Sequence, residues 1–262
     1  MRVIFSIAGT TIGEAVRRRI LLIILFIGVL FLAIAPGLGA LTARQETSIL
    51  RGMTLSIILL TSAVIAIVLT MYMIPNEIER RTIYTILCKP VQRWQFYLGK
   101  YLGAVGALGL MMALMTAVLI FVFAIMQKGS AGDIPQLAQV PAMYFVQMSI
   151  LAAVAMFFST FTSPLVNFFL SGGVYLLGSV MNPFFETLSN DKDAHVVTKG
   201  FAWFANTVLP NFANYQVANP IINPTQQIDT QFGYYITTIG YGLVYIVALC
   251  VAGILIFDRR EV

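Results

Sequence analysis

The sequence predicts an all-α integral membrane protein with six transmembrane helices. Of its 262 residues, 59% are hydrophobic and only 10% are charged, whereas ordinary soluble domains carry about 25% charged residues. A soluble fold with so few charges could not cover its own surface. The charges are also clustered, because five windows contain no Asp, Glu, Lys or Arg: 20–43, 52–76, 101–127, 134–185 and 230–257.

These windows set the number of spans, since a transmembrane helix needs about 20 apolar residues. Four windows hold one span each, and the longest holds two that separate at 159–164. The fifth expected span is short. We interpret 1–262 as a single transmembrane domain, with spans near 20–41, 53–74, 101–126, 140–160, 165–181 and 233–257.

Residues 200–228 also lack charge, but they contain five Asn, three Gln and three Pro. Unpaired amides and an interrupted backbone are costly in lipid. The turn signals Asn219-Pro220 and Asn223-Pro224 interrupt the stretch further. We therefore interpret it as part of a loop and not as a seventh span.

The basic residues predict the orientation. Six spans put both termini on one side, and cytoplasmic termini place eleven of the sixteen Lys and Arg residues inside, as the positive-inside rule requires. We expect a multi-pass protein of the inner (plasma) membrane with cytoplasmic termini. The alternative is a cleaved signal peptide around Arg17–Arg19, but sixteen mostly apolar residues precede these arginines, so we expect the first span to be retained.

Residues 1–16 have the pattern of an amphipathic helix. Phe5, Ala8, Ile12 and Ala15 recur at helical spacing. Such a helix is expected at the inner interface, with the arginines that follow it among the lipid headgroups. Simple anchoring and a coupling role are both open for it.

The inner loop 75–100 is the most charged segment. We expect two short helices, one over about 77–88 and one that begins at Pro90 and runs into the third span. Trp94 and Tyr97 suit the membrane interface. Exposed charge pairs contribute little to stability, which favours a docking surface over a merely solvated face. The seven charges are Glu77, Glu79, Arg80, Arg81, Lys89, Arg93 and Lys100.

The outer loop 182–232 is the other long connection. A helix near 194–208, ended by Pro210, would cover the outer mouth of the bundle or lie on the outer leaflet. Its polar residues Asp191, Asp193 and His195 are more simply solvated than metal-binding.

No catalytic motif is present in the sequence. Gly99-Lys100 is followed by Tyr101 and lacks the earlier glycine of a phosphate-binding loop. Cys88 and Cys250 are expected as free thiols, and Ser171-Gly172-Gly173 as a site of close helix packing. We therefore expect neither enzymatic activity nor a bound cofactor or metal. No expected span contains an ionisable side chain, which disfavours a proton- or sodium-driven carrier.

The chain resembles the permease subunit of ABC type-2 transporters over nearly its whole length. The opening FSIAGTTIGEAVRRR is similar to the family's interfacial helix, and EIERRTIYTILCKPVQRWQFYLGKYLG to its loop between spans two and three. Arg81 stands where the family commonly has glycine. The matching positions are Glu77 and Glu79 for an acidic pair, Thr82 and Ile83 for a Thr-Leu step, Pro90 with Arg93, and the closing Gly99-Lys100.

The resemblance implies a homodimer, or a pair with a paralogue, that binds two copies of a separate ABC ATPase. ATP and Mg²⁺ would be held by that partner, and export is the expected direction. The other expected partners are the lipid bilayer and an outer accessory protein, but no nucleic acid. The residues implied for ATPase docking are Glu77, Glu79, Arg80, Arg81, Thr82, Pro90 and Arg93, and those for an outer, re-entrant gate are Phe201, Trp203, Phe204 and Phe212.

Two alternatives remain open at this stage. An assembly subunit would transmit ATPase motion to an outer protein without moving a solute. A membrane-embedded enzyme is the weaker alternative, because the sequence shows no nucleophile–base pair or metal set. The lining expected from these spans suits lipids, glycans, drugs and peptides alike, so the sequence does not select a substrate.

Overall fold

The computed structural model describes residues 2–39, 46–79, 92–126, 134–181, 199–200, 203, 207–216 and 231–259. Every regular element in these ranges is helical. The α-helices are α1 (Arg2–Arg17), α2 (Arg19–Gly39), α3 (Glu46–Met71), α4 (Pro75–Glu79), α5 (Arg93–Met126), α6 (Ile134–Ser159), α7 (Pro164–Leu176) and α8 (Gln231–Arg259). A π-helical turn, Leu177–Met181, extends α7, and a 3-10 turn covers Ala213–Tyr215.

Five helices in the described ranges are long and apolar enough to cross a membrane: Arg19–Gly37, Leu50–Glu77, Arg93–Ile125, Ala138–Ser159 and Gly233–Arg259. A further apolar helix, Pro164–Val180, is shorter. At 1.5 Å per residue it spans roughly 26 Å, slightly less than the ~30 Å hydrocarbon core. The prediction of a helical membrane protein is confirmed. The short fifth span expected from the sequence corresponds in position to the helix Pro164–Val180.

Helices α3 and α6 form the centre of the bundle. In their spanning windows 67% and 72% of residues are buried, against 22% for α2 and 17% for α8. Helix α3 packs against α2, α5, α6 and α7. Large apolar side chains are exposed on the peripheral helices, as in Phe26 of α2 and Val244 of α8. In a membrane protein such faces contact lipid, so exposed apolar side chains are expected on them.

Helix α5 agrees with the expectation that the second loop helix runs into the third span. It is continuous from Arg93 to Met126. Residues 80–91, which include most of the first predicted loop helix and Pro90, lie outside the described residues. Helix α4 covers Pro75–Glu79 at the beginning of that loop.

The amphipathic helix predicted at the N-terminus is α1, and its buried residues Ala8, Thr11 and Ala15 lie on one face. This face packs along the beginning of α5. A Cβ atom added at Gly103 would lie 2.5 Å from the Cβ of Thr11 and 2.9 Å from the Ala8 carbonyl oxygen. The two helices are therefore in backbone contact. Placement of α1 at a membrane interface stays a prediction.

Both described ends of the chain meet at the start of α5. Gly99 of α5 lies against Ile7 of α1, and Phe96 packs on Phe257 near the end of α8, with ring centroids 6.3 Å apart. We call this the terminal end of the bundle. Residues 207–216 pack on the other half of α8, towards its first residue, which marks the opposite end.

Candidate functional site

A buried cation joins three helices at the terminal end. The Lys100 Nζ of α5 lies 2.7 Å from Oε1 of Glu77 in α4 and 3.9 Å from Oε2 of Glu14 in α1. Lys100 is 8% exposed, and its Nζ lies 5.7 Å from the centre of the Phe96 ring, within the range of a cation–π contact. We call Glu14, Glu77 and Lys100 the ionic cluster.

The energetics of the ionic cluster depend on burial. A buried ammonium is tolerated only when it is paired, and Glu77 supplies the close partner, with a side chain only 18% exposed. Glu14 is 49% exposed and also binds Arg18 of the α1–α2 junction at 2.7 Å. An exposed i,i+4 pair of that kind contributes less than 1 kcal/mol, or about 0.3–0.5 kcal/mol. The Lys100–Glu77 pair is therefore the part that fixes α4 to α5.

A second contact at the same end binds α5 to α8. The Arg93 Nη1 donates to the carbonyl oxygens of Asp258 at 3.1 Å and of Phe257 at 3.4 Å. These carbonyls belong to the last turn of α8, which has no helical donors left and carries the negative end of the helix dipole. Arg93 thus caps α8 from another helix.

The structure describes two of the predicted docking residues with their side chains. Glu77 and Arg93 both make contacts within the chain. The backbone of Glu79 ends α4, but its side chain lies outside the described residues, as do Arg80, Arg81, Thr82 and Pro90. The prediction that this group docks an ATPase is not tested by these contacts. They do show that Glu77 and Arg93 hold helices together.

At the opposite end, Phe212 and Tyr215 are fully buried. The Phe212 amide donates to the Gly178 carbonyl at 3.1 Å, and its ring lies 5.9 Å from that of Tyr175. A Cβ at Gly178 would approach the Pro210 carbonyl to 2.5 Å. The segment 207–216 is therefore wedged against the end of α7.

The other side of segment 207–216 is held by tyrosines. Tyr215 donates its hydroxyl to the Thr238 carbonyl at 2.9 Å, and Tyr234 of α8 donates to the Asn214 carbonyl at 2.6 Å. Tyr245 donates to the Val208 carbonyl. Burial raises the pKa of Tyr215 above its ordinary value, so its hydroxyl remains a donor at physiological pH.

These bonds define how far the segment enters the bundle. Tyr245 lies roughly 20 Å along α8 from its first residue, at 1.5 Å per residue. Irregular backbone at such a depth is tolerated only where protein groups satisfy it, and the α8 tyrosines do so. The interpretation of residues 200–228 as a loop and not a seventh span stays a prediction, since much of this stretch lies outside the described residues.

The predicted gate residues have different environments. Phe212 is buried, whereas Trp203 is 65% exposed. Phe201 and Phe204 lie outside the described residues. Around them the described positions 199–200, 203 and 207–208 are helical, and Thr207 Oγ1 donates to the Trp203 carbonyl at 2.8 Å. Most of the helix expected near 194–208 lies outside the described residues and stays a prediction.

Sequence reasoning missed the role of one polar pair in the spans. Asn167 of α7 donates through Nδ2 to the Ala155 carbonyl of α6 at 2.8 Å, and accepts from Ser171 Oγ at 2.8 Å. Both side chains are fully buried. Close packing was expected instead at Gly172 and Gly173, which is wrong within the described chain, since a Cβ at either would meet nothing within 4 Å. The i,i+4 spacing of Asn167 and Ser171 was the available signal.

A groove of about 450 Å³ lies between α5 and α6. Its lining is almost wholly apolar and includes Gly109, Ala113 and Ala117 at every fourth position of α5. Within the described ranges, no three His, Cys, Asp or Glu residues are grouped as metal ligands. The described chain thus offers polar contacts, ion pairs and apolar surfaces.

The fold and these contacts define a class: a multi-pass helical membrane protein with a charged junction at one end and an inserted loop at the other. The family model of ABC-2 family transporter proteins matches residues 5–262, and the chain belongs to this family. It is a membrane permease subunit of an ABC transporter. A comparison with curated proteins gives no match.

Proposed function

We propose that the chain is the permease subunit of an ABC exporter, which forms the translocation path and is driven by a separate ATPase. The chain has no phosphate-binding loop of its own, so ATP and Mg²⁺ belong to that partner, present in two copies. The permease pairs with a second copy or a paralogue. The chain itself is not an enzyme and binds no cofactor.

The proposed topology has six crossings with both termini in the cytoplasm. The shorter helix Pro164–Val180 serves as the fifth crossing. Its first turn contacts α6 through Asn167, and its last turn contacts segment 207–216 through Gly178. The bias of Lys and Arg towards the terminal end supports the cytoplasmic assignment.

The ionic cluster carries the proposal for coupling. Residues 75–100 contain seven charges, and the helices on both sides of residues 80–91 are joined by Lys100 and Glu77 at 2.7 Å. Glu14 ties α1 to the same point. A force applied by an ATPase to this loop would be shared by α1, α4 and α5. Arg80 and Arg81, within the loop, are the docking residues we favour.

The second candidate function is an assembly subunit that moves an outer protein and no solute. The 65% exposure of Trp203 favours it, because an exposed Trp near the opposite end can anchor a protein partner. Proteoliposomes with the chain and its ATPase separate the two functions. ATP-dependent solute movement supports the exporter. Its absence for every candidate solute, with stable binding of an outer protein, supports the assembly subunit.

A further inference from the structure

Helix α8 lies at the edge of the bundle, where it packs on α6 and makes hydrogen bonds and ring contacts at two further places. Only 17% of its spanning window is buried, against 67% for α3. Its outer face exposes Val244, Val247, Val251 and Leu255. A helix with this little burial can slide along its neighbour α6 with a small loss of packing, and the directional contacts at the two further places then limit how it moves.

The first of these places is the beginning of α5. Arg93 binds the Phe257 and Asp258 carbonyls, and the Phe96 and Phe257 rings are stacked with 21° between their planes. Tyr97 presses on Gly253, where an added Cβ would overlap both the hydroxyl and the ring. Residues 93, 96 and 97 share one face of α5. The two helices are therefore closely packed at this place.

The second place is segment 207–216. Tyr234, Thr238 and Tyr245 bind it through the backbone bonds described above, and Tyr241 accepts a hydrogen bond from the Asn211 amide at 3.3 Å. These α8 residues recur at intervals of three or four and so lie on one face. A shift of α8 would therefore carry the segment with it.

We propose that Arg93 is a positioning residue, which transmits movement of the α5 start to α8 and, through Tyr245, to segment 207–216. Helix α8 has 29 residues without proline, about 43 Å at 1.5 Å per residue, and acts as the rod between the two contacts. This inference rests on the proposed ATPase coupling. It assigns Arg93 an internal role instead of the docking role that the family resemblance implies.

The test uses the complex of the full chain with its ATPase in proteoliposomes. Val208, which is 51% exposed, is replaced by Cys in a background with Cys88→Ser and Cys250→Ala. The rate of labelling by a water-soluble maleimide is measured without nucleotide and with vanadate-trapped nucleotide. We expect the two rates to differ several-fold in this parent protein.

In Arg93→Ala the two rates should become equal. ATPase association is measured on the same samples, because loss of association would show that Arg93 docks the ATPase and would overturn the inference. Arg93→Lys, which can still donate to the carbonyls, should restore part of the difference. The matched control is Arg259→Ala, because Arg259 is an exposed arginine on the last turn of α8; it should behave as the parent. A full nucleotide-dependent difference in Arg93→Ala overturns the inference.

Tyr245→Phe tests the contact of α8 with segment 207–216. It provides a second test if Arg93→Ala does not fold. It should also equalise the labelling rates, whereas Tyr235→Phe should not. If Arg93→Ala and Tyr245→Phe both respond like the parent, the inference is wrong but the proposed ATPase coupling is unaffected. If the parent binds no ATPase, the proposed coupling fails and the inference with it.

Discussion

The Lys100 ammonium lies 2.7 Å from the Glu77 carboxylate, and this pair ties the short helix α4 to the long helix α5. The two residues are 23 positions apart, on either side of residues 80–91. The pair explains how a charged residue can lie within a continuous apolar helix. Its charge is matched by the Glu77 carboxylate of a neighbouring helix.

Lys100→Met should destabilise the protein by about 1–3 kcal/mol, because it removes the ammonium that lies against the poorly exposed Glu77 carboxylate. Thermal unfolding in detergent measures the loss. The matched control is Glu14→Gln, which removes the charge of a 49% exposed carboxylate that contacts Arg18 at 2.7 Å and Lys100 at 3.9 Å, and it should cost less than about 1 kcal/mol. Equal losses in the two variants would show that burial of the pair is not decisive.

Gly103→Ala should separate α1 from α5 or strain both, since the new methyl group would lie 2.5 Å from Thr11. Overpacking of this kind costs about 1–3 kcal/mol. Amide hydrogen exchange should rise in α1. Gly9→Ala is the control on the same helix pair, because nothing lies within 4 Å of its added Cβ; it should be neutral or stabilising by up to about 1 kcal/mol. Unchanged exchange in Gly103→Ala would contradict the packing.

Tyr97→Phe and Tyr101→Phe should have opposite effects on stability. The buried Tyr97 hydroxyl has no hydrogen-bond partner among the described residues, so its removal should be neutral or stabilising. The Tyr101 hydroxyl donates to the Ser149 carbonyl at 3.0 Å, and its removal should cost about 0.5–1.5 kcal/mol. Unfolding of both variants under the same conditions decides the point. A larger loss for Tyr97→Phe would mean that its hydroxyl has a partner.

Asn167→Ala should weaken the α6–α7 contact by about 1–2 kcal/mol, because it removes two buried hydrogen bonds within the bundle. Ser171→Ala removes one of the two and should cost less. Titration with a denaturing detergent measures both. The idea fails if Ser171→Ala is the more damaging change.

The sequence was sufficient for the helical membrane class, because charge-free windows of the length of a span report directly on the bilayer. It also predicted the amphipathic α1 and the short helix of α7. It also predicted a helix that runs from the inner loop into the third span, as α5 does. It did not predict the pairing of Lys100 with Glu77, which lies 23 positions away.

Contacts between distant parts of the chain were the other gap. Tyr97 was expected at the membrane interface and is instead 1% exposed, pressed on Gly253. Arg93 was expected to face a partner protein, and its guanidinium binds α8 carbonyls 164 and 165 positions away. No local pattern reports such pairings, because helical periodicity identifies a buried face but not the helix that covers it.

The central claim is that a separate ATPase acts on the terminal end of this chain. Its most direct test is affinity purification of the chain from native membranes, with measurement of ATP hydrolysis and of a co-purifying subunit that carries a phosphate-binding loop. We expect ATP hydrolysis and the co-purifying subunit with the wild-type chain and with Arg51→Glu. We expect neither with Arg80→Glu/Arg81→Glu, although all three proteins fold. Equal recovery of the ATPase with the double variant, or no ATPase with the wild-type chain, would contradict the account.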